Sequence, residues 1–396
     1  MENLVLNLSK LTVETRKAIA RELKSAKNLE ILAEDKNSDV RCAVAKNEYV
    51  TAKILSKLSE DKNRDVRLAV AKNEEVTLEI LLKLAGDKNR DIRLAVAENE
   101  NTTIEILSKL AEDKDSDVRL EVAYNENTTG EILLKLAGDE YSEIRAVTAI
   151  HPNATIEILT KLAEDIDFEV RAAVAKNKNT TAKILSELLE NRNIEEYGNI
   201  FDIHVGVEKN EHLSKIIECS GIYGLRTAVA GNKNTTVEIL SKLAEDENYN
   251  VRCAVARNES TTVEILSKLA EDKKDNVRWG VAGNENATEE ILSKLAEDPY
   301  KDVRYMVAEN KNATVEILLK LAKDEDFEVR AAVAGNANAT SEILTQLAED
   351  EFWKVRLAVA GNKRTAVETL TKLEKDKNSN VRSTAKTVIS LKSVLN

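Results

Sequence analysis

The chain has 396 residues, a net charge of −12 and 32% charged residues, with 4% aromatics, two prolines and three cysteines. The acidic balance works against non-specific attraction to nucleic-acid phosphates or anionic membrane surfaces. The widely separated Cys42, Cys219 and Cys253 support neither a disulfide framework nor a C-x-x-C metal knuckle, and the small aliphatic residues that dominate the 42% hydrophobic fraction suit many thin layers better than one large core.

From the N-terminus, MENLVLNLSKLTVETRKAIARELK is amphipathic and carries Glu2, Glu14 and Glu22. It lacks the continuous apolar core of a signal peptide, and no later stretch approaches the roughly 18 apolar residues of a spanning helix. A cytoplasmic chain is therefore expected. Residues 1–33 read as a degenerate N-terminal capping repeat, with Arg16 one residue out of register.

A D/E-[VI]-R-x-A-V-A-x-N pattern then places arginines 26 residues apart at Arg41, Arg67, Arg93, Arg119, Arg145 and Arg171. The series resumes at Arg226 and runs through Arg252, Arg278, Arg304, Arg330, Arg356 and Arg382. Two regular blocks follow, 34–190 and 226–382, joined by an irregular repeat at 191–225 whose turn is lengthened, and closed by a C-terminal cap at 383–396. About fifteen repeats are expected.

Each repeat carries two helical signals. In NTTIEILSKLAED (101–113), Ile106, Leu107 and Leu110 share a face with Thr103. Glu105 and Lys109 are spaced for an i,i+4 ion pair, as are Glu131–Lys135, Glu264–Lys268 and Glu316–Lys320. The preceding N-T-T or N-A-T reads as a helix cap rather than a glycosylation signal, with the Glu as a capping-box partner. The second signal, as in DVRLAVA (65–71), is a very short helix that opens on an acid and closes at x-Asn or Gly-Asn, residues that tolerate a left-handed C-terminus. Such helices are unstable alone and must stack. Helical rather than alternating apolar spacing excludes a leucine-rich horseshoe.

An unpaired arginine in each apolar run would be costly to bury. Twelve of the thirteen have an Asp six residues earlier, for example Asp35 before Arg41, Asp61 before Arg67, Asp113 before Arg119, Asp298 before Arg304 and Asp376 before Arg382; Arg226 has Ser220 instead. A guanidinium has donors enough to bridge its own Asp and a neighbouring repeat's, so a ladder is expected. The one-to-one acids argue against a row of arginines held out to phosphates.

The string LAEDKDSDVRLEVAYN (110–125) and its recurrences resemble the leucine-rich repeat variant (LRV) family, and are similar to HEAT repeats in their Asp–Arg separation. The resemblance covers nearly the whole chain. It implies an all-α, right-handed superhelical α-solenoid in which α-helices alternate with short α- or 3₁₀-helices. An iron–sulfur cluster carried by one LRV protein type is not implied, because its N-terminal cysteine cluster is missing. HEAT-like relatives include partner-binding scaffolds and DNA glycosylases.

No P-loop, G-x-S-x-G or H-E-x-x-H motif occurs, so no catalytic residue and no cofactor are expected. His151, His204 and His212 each replace a repeat residue, and a metal site at Asp202, His204 and His212 is the lesser reading because no further strong ligand is set by spacing. Seven aromatics, Tyr141, Phe168, Tyr249, Tyr300, Phe327, Phe352 and Trp353, fall three or four residues before a repeat arginine. They form either a binding ridge on one edge of the solenoid or local packing over helix ends. The slot after Ala-Val-Ala varies, from Lys46, Lys72 and Glu98 to Gly283, Gly335 and Gly361. The leading expectation is a non-enzymatic scaffold for a protein or peptide, and the alternative is a nucleic-acid-binding or DNA-repair module.

Overall fold

The computed structural model describes residues 11–190 and 222–395. Among these residues there are 27 α-helices and no strand. The chain is an all-α solenoid of two-helix repeats, and it divides into two compact bodies, Met1–Thr180 and Thr181–Asn396. Most of the irregular repeat, with Asp202, His204, His212 and Cys219, lies outside the described residues.

In each repeat a leading helix such as Ile104–Leu110 is followed by a trailing helix such as Ser116–Tyr124. The leading helix begins at a Thr in extended conformation. In Thr155, Thr236, Thr288 and Thr340 that side chain accepts the N–H three residues on. In many repeats the trailing helix begins at an Asn or Asp that accepts the N–H two residues on, as Asn63 does from Asp65, while Tyr141, Lys274, Tyr300 and Phe352 stand there without a side-chain cap bond. Trailing helices run eight to ten residues, except the 17-residue Ser379–Leu395, and leading helices seven to nine; both are α-helical. The second helix is short, as expected, and starts one residue earlier than the acid, as at Arg64 before Asp65.

Within each body successive trailing helices stack on one another, as Phe327–Gly335 does on Trp353–Gly361. They bury Val and Ala, such as Val118, Val122 and Ala123, against Ile106, Leu107 and Leu110 of the leading helix. Burying each of these larger side chains stabilises by about 1.5–3 kcal/mol.

The asparagine that ends each trailing helix is not left-handed. Asn284 sits at φ −74°, ψ 134°, and Asn310 at φ −67°, ψ 132°. Its amide explains the choice of residue. The Asn310 Nδ2 donates to the carbonyls of Ala282 (2.7 Å) and Asn284 (3.1 Å), one repeat back, while its Oδ1 accepts from the N–H of Asn312 (2.8 Å). The same bonds recur at Asn258, Asn284, Asn336 and Asn362, so orphan carbonyls at each helix end are satisfied by the next repeat. The second Asn of x-N-x-N makes a parallel row, Asn312 Nδ2 donating to Glu285 and Ala287 carbonyls.

His151 stands in the first row in place of asparagine. Its Nδ1 accepts from the N–H of Asn153 (3.0 Å), which leaves Nε2 to donate to the Asn125 carbonyl (3.2 Å). Burial pushes its pKa below the ordinary imidazole range, against the Asn125 bond and nearby Glu126. Protonation would set an N–H on Nδ1 against the N–H of Asn153. The unfolded chain titrates near about pH 6.5, so stability is full above that value and falls as the pH drops through it towards the depressed folded value. Replacing His151 by Asn is expected to flatten the loss of stability between about pH 7 and about pH 5. Thermal melting of both proteins across that range checks this, and an equal loss in the variant would refute it.

Candidate interaction surface

Each ladder arginine enters the repeat junction near the start of a trailing helix. From Arg41 to Arg145 and from Arg226 to Arg356, Nε and Nη2 grip the carboxylate of the following repeat's Asp, twenty residues on. Arg41 holds Asp61 (2.5 Å), Arg67 holds Asp87 (2.6 Å), Arg119 holds Asp139 (2.6 Å) and Arg304 holds Asp324 (2.6 Å). Its own Asp supplies a backbone carbonyl instead: Arg41 Nη1 donates to Asp35 O at 2.7 Å, and Arg304 Nη1 to Asp298 O at 2.9 Å. The own-repeat carboxylate is taken by the preceding arginine, Arg93 for Asp113, Arg278 for Asp298 and Arg356 for Asp376. Arg16 performs the same task for Asp35, so its shift in register does not remove it from the row. Arg382 bonds the carbonyls of Asp376 and Lys377.

The carboxylate Oδ1 also accepts the N–H two residues on, as Asp61 does from Asn63 (2.8 Å). Burial pushes Asp61 up, but the hydrogen bonds from Arg41 and Asn63 outweigh it and hold the carboxyl below its ordinary range. Asp35, Asp87, Asp113 and Asp139 follow the same balance. The side chains of Arg93 and Asp113 are each only 7% exposed, so this is a desolvated, fully hydrogen-bonded pair.

The seven turn aromatics sit at the N-cap or first residue of trailing helices, beside the ladder. Tyr141, Tyr300 and Phe352 are N-caps; Phe168, Tyr249, Phe327 and Trp353 are first residues. Rings of Tyr141, Tyr300 and Phe352 cover the preceding repeat's guanidinium, that of Arg119, Arg278 and Arg330, at 5.6 to 5.7 Å. Packing on the ladder and solvent exposure coexist: Tyr300 is 53% exposed, Phe352 42% and Trp353 37%. The densest group is in the C-terminal body, where Phe327 and Phe352 stack at 4.8 Å with Lys354 over Phe327.

Two surface features were not anticipated from sequence. On most trailing helices the residue after the arginine is half-buried, and in the C-terminal body it becomes Trp279 and Tyr305, with Arg257 over the Trp279 ring at 4.5 Å. That slot is adjacent to the ladder arginine in every repeat, which is the signal that could have found it. The second concerns the leading-helix lysines. They do not pair with the Glu one turn back as expected. Lys135, Lys268 and Lys320 instead bind Glu112, Glu245 and Glu297 at the end of the preceding repeat's leading helix. Stacking brings that carboxylate within reach, while Glu264 turns back to accept from its own helix start and Thr262. Lys109 makes no pair with Glu105, and among the described residues only Lys183–Glu187 and Lys242–Glu238 are i,i+4 pairs.

Among the described residues no three His, Cys, Asp or Glu side chains come together as metal ligands, and no helix is long and apolar enough to cross a membrane. Cys42 and Cys253 are free thiols raised by burial, near the carbonyls of Asp65 and Asn276.

No protein-family model and no curated protein matches the chain. Among solved structures it is similar to a leucine-rich repeat variant with a repetitive structural motif, at 25% identity and TM-score 0.41, covering 63% of this chain and 88% of that one. It is also similar to a Kap95p structure concerned with the switch loops of RanGDP, at 11% identity and TM-score 0.42, covering 96% of this chain and 57% of that one. A third is the karyopherin Kap121p bound to the extreme C-terminus of the protein phosphatase Cdc14p, at 12% identity and TM-score 0.42, covering 97% of this chain and 50% of that one. The chain thus spans little more than half the length of the Kap95p structure and half that of the Kap121p structure.

Proposed function

We propose that the chain is a non-enzymatic scaffold that binds a protein or peptide partner along its exposed repeat surface. The observation that carries this reading is the register of exposed aromatics beside the ladder, densest at Phe352 and Trp353, where the half-buried Phe327 stacks on Phe352. Aromatic rings held on rigid helix starts present contact area with little conformational entropy left to lose, which is the character of interface anchors. The nucleic-acid alternative is less well supported, because the ladder guanidiniums from Arg41 to Arg145 and from Arg226 to Arg356 already hold carboxylates.

Replacing Phe327, Phe352 and Trp353 together by Ala is expected to weaken partner binding by roughly 30-fold or more, the effect of losing one dominant anchor. Quantitative capture from native lysate, wild type against the triple variant, measures it. Equal recovery of every specifically captured protein would remove the aromatic edge from the reading.

A further inference from the structure

We propose that the cleft at Gly86 in the N-terminal body binds a carboxylate of an acidic peptide, with Lys109 as its principal contact. The chain's own repeats identify the chemistry. In six repeats the lysine in the last turn of the leading helix takes the glutamate 23 residues earlier: Lys57–Glu34, Lys83–Glu60, Lys135–Glu112, Lys268–Glu245, Lys294–Glu271 and Lys320–Glu297. For Lys109 that position is Gly86, and among the described residues Lys109 forms no ion pair.

Backbone geometry does not call for the glycine. The Gly86 N–H donates to Lys83 O at 3.1 Å, as Glu60 does to Lys57 O and Glu112 to Lys109 O, both at 3.2 Å. A Cβ on Gly86 would meet the Lys109 Nζ at an ordinary 3.5 Å. What the glycine removes is a carboxylate, and beside it lies an open surface cleft of about 440 Å³.

Three lysines, Lys88, Lys109 and Lys114, line that cleft. Its acids are already engaged: Asp87 by Arg67, Asp113 by Arg93 and Glu112 by Lys135. A local positive field therefore stands on an acidic chain, around the place where a carboxylate is held in sibling repeats. Exposed ammonium–carboxylate pairs are individually weak, so affinity requires one ligand that offers several carboxylates together, which a peptide does and a free carboxylate ion does not. Gly138 makes the same deletion before Lys161, but the residues equivalent to Lys88 and Lys114 are Glu140 and Ile166. Lys161 is therefore an internal control.

This inference rests on the reading of the chain as a peptide-binding scaffold but uses a different patch from the aromatic edge. The test is fluorescence anisotropy of the full chain with a fluorescein-labelled dodecapeptide of alternating Glu and Gly, at low salt. Lys109→Ala is expected to weaken binding by about threefold to fivefold. Gly86→Glu, which restores the carboxylate within the chain, should weaken it at least as much, and Lys161→Ala should leave it unchanged. All three positions are on the surface, and melting curves verify that the variants fold.

Absence of binding, unchanged binding by Lys109→Ala and Gly86→Glu, or an equal effect of Lys161→Ala would overturn the proposal. So would displacement of the peptide by a single-stranded oligonucleotide with the same dependence on Lys109, which would assign the cleft to nucleic acid. The aromatic triple variant separates the two ideas. The scaffold reading fails if the wild-type chain captures no protein specifically, and its aromatic edge fails if that variant captures its partners unchanged, whereas the cleft fails if the Lys109 and Gly86 measurements are flat.

Discussion

Replacing Arg304 by alanine is expected to destabilise the C-terminal body by on the order of 3–5 kcal/mol. The Arg304 side chain is 10% exposed and that of Asp324 6%. Two donors reach the carboxylate, at 2.6 and 2.9 Å, and Nη1 satisfies the carbonyls of Asp298 and Pro299. Without the guanidinium, Asp324 remains buried with the N–H of Asp326 as its remaining hydrogen-bond donor. The charge left behind, more than the lost attraction, sets the size of the effect. Urea denaturation measures it, and a loss below about 1 kcal/mol would show that solvent screens the ladder as it screens a surface pair. The double variant Arg304→Met, Asp324→Leu should recover much of the loss, since it removes both charges together.

The second large effect is expected at Asn310. Leucine there is nearly the same size, yet it deletes two donors and one acceptor in a site that is 6% exposed. The carbonyl of Ala282 and the N–H of Asn312 lose their partner, and the carbonyl of Asn284 keeps only the N–H of Ala287. At roughly 1–3 kcal/mol for each buried group left unsatisfied, partly relieved by water at the rim, a cost of about 3 kcal/mol is expected. Because repeat stability is carried by contacts between neighbours, the loss should fall on the interface between the repeats ending at Asn284 and Asn310. Amide hydrogen exchange of those two repeats against the rest of the body checks the location, and a uniform change would contradict it.

These two rows show how much could be read without coordinates. The spacing of the arginines and their acids made a ladder legible, because a buried guanidinium must find a carboxylate and the chain offers one per repeat. Which carboxylate was not legible. Asp298 is six residues from Arg304 in sequence, yet its carboxylate belongs to Arg278, and Arg304 receives only its backbone carbonyl. The lysines show the same displacement: Glu264 is one helical turn from Lys268, but Lys268 reaches Glu245 in the preceding repeat.

Local periodicity, capping residues and apolar spacing by themselves determined the all-α repeat, its helix signals and its turns, because these depend on contacts within a few residues. The exposed position of the turn aromatics follows in part from the same logic, since turns lie on an edge. Only the stacking of one repeat on the next decided the carboxylate partners, the extended asparagines that cap the neighbouring helix, the His151 tautomer and the open cleft beside Gly86. Each depends on the offset between layers, a distance through space that a 26-residue period in sequence does not contain.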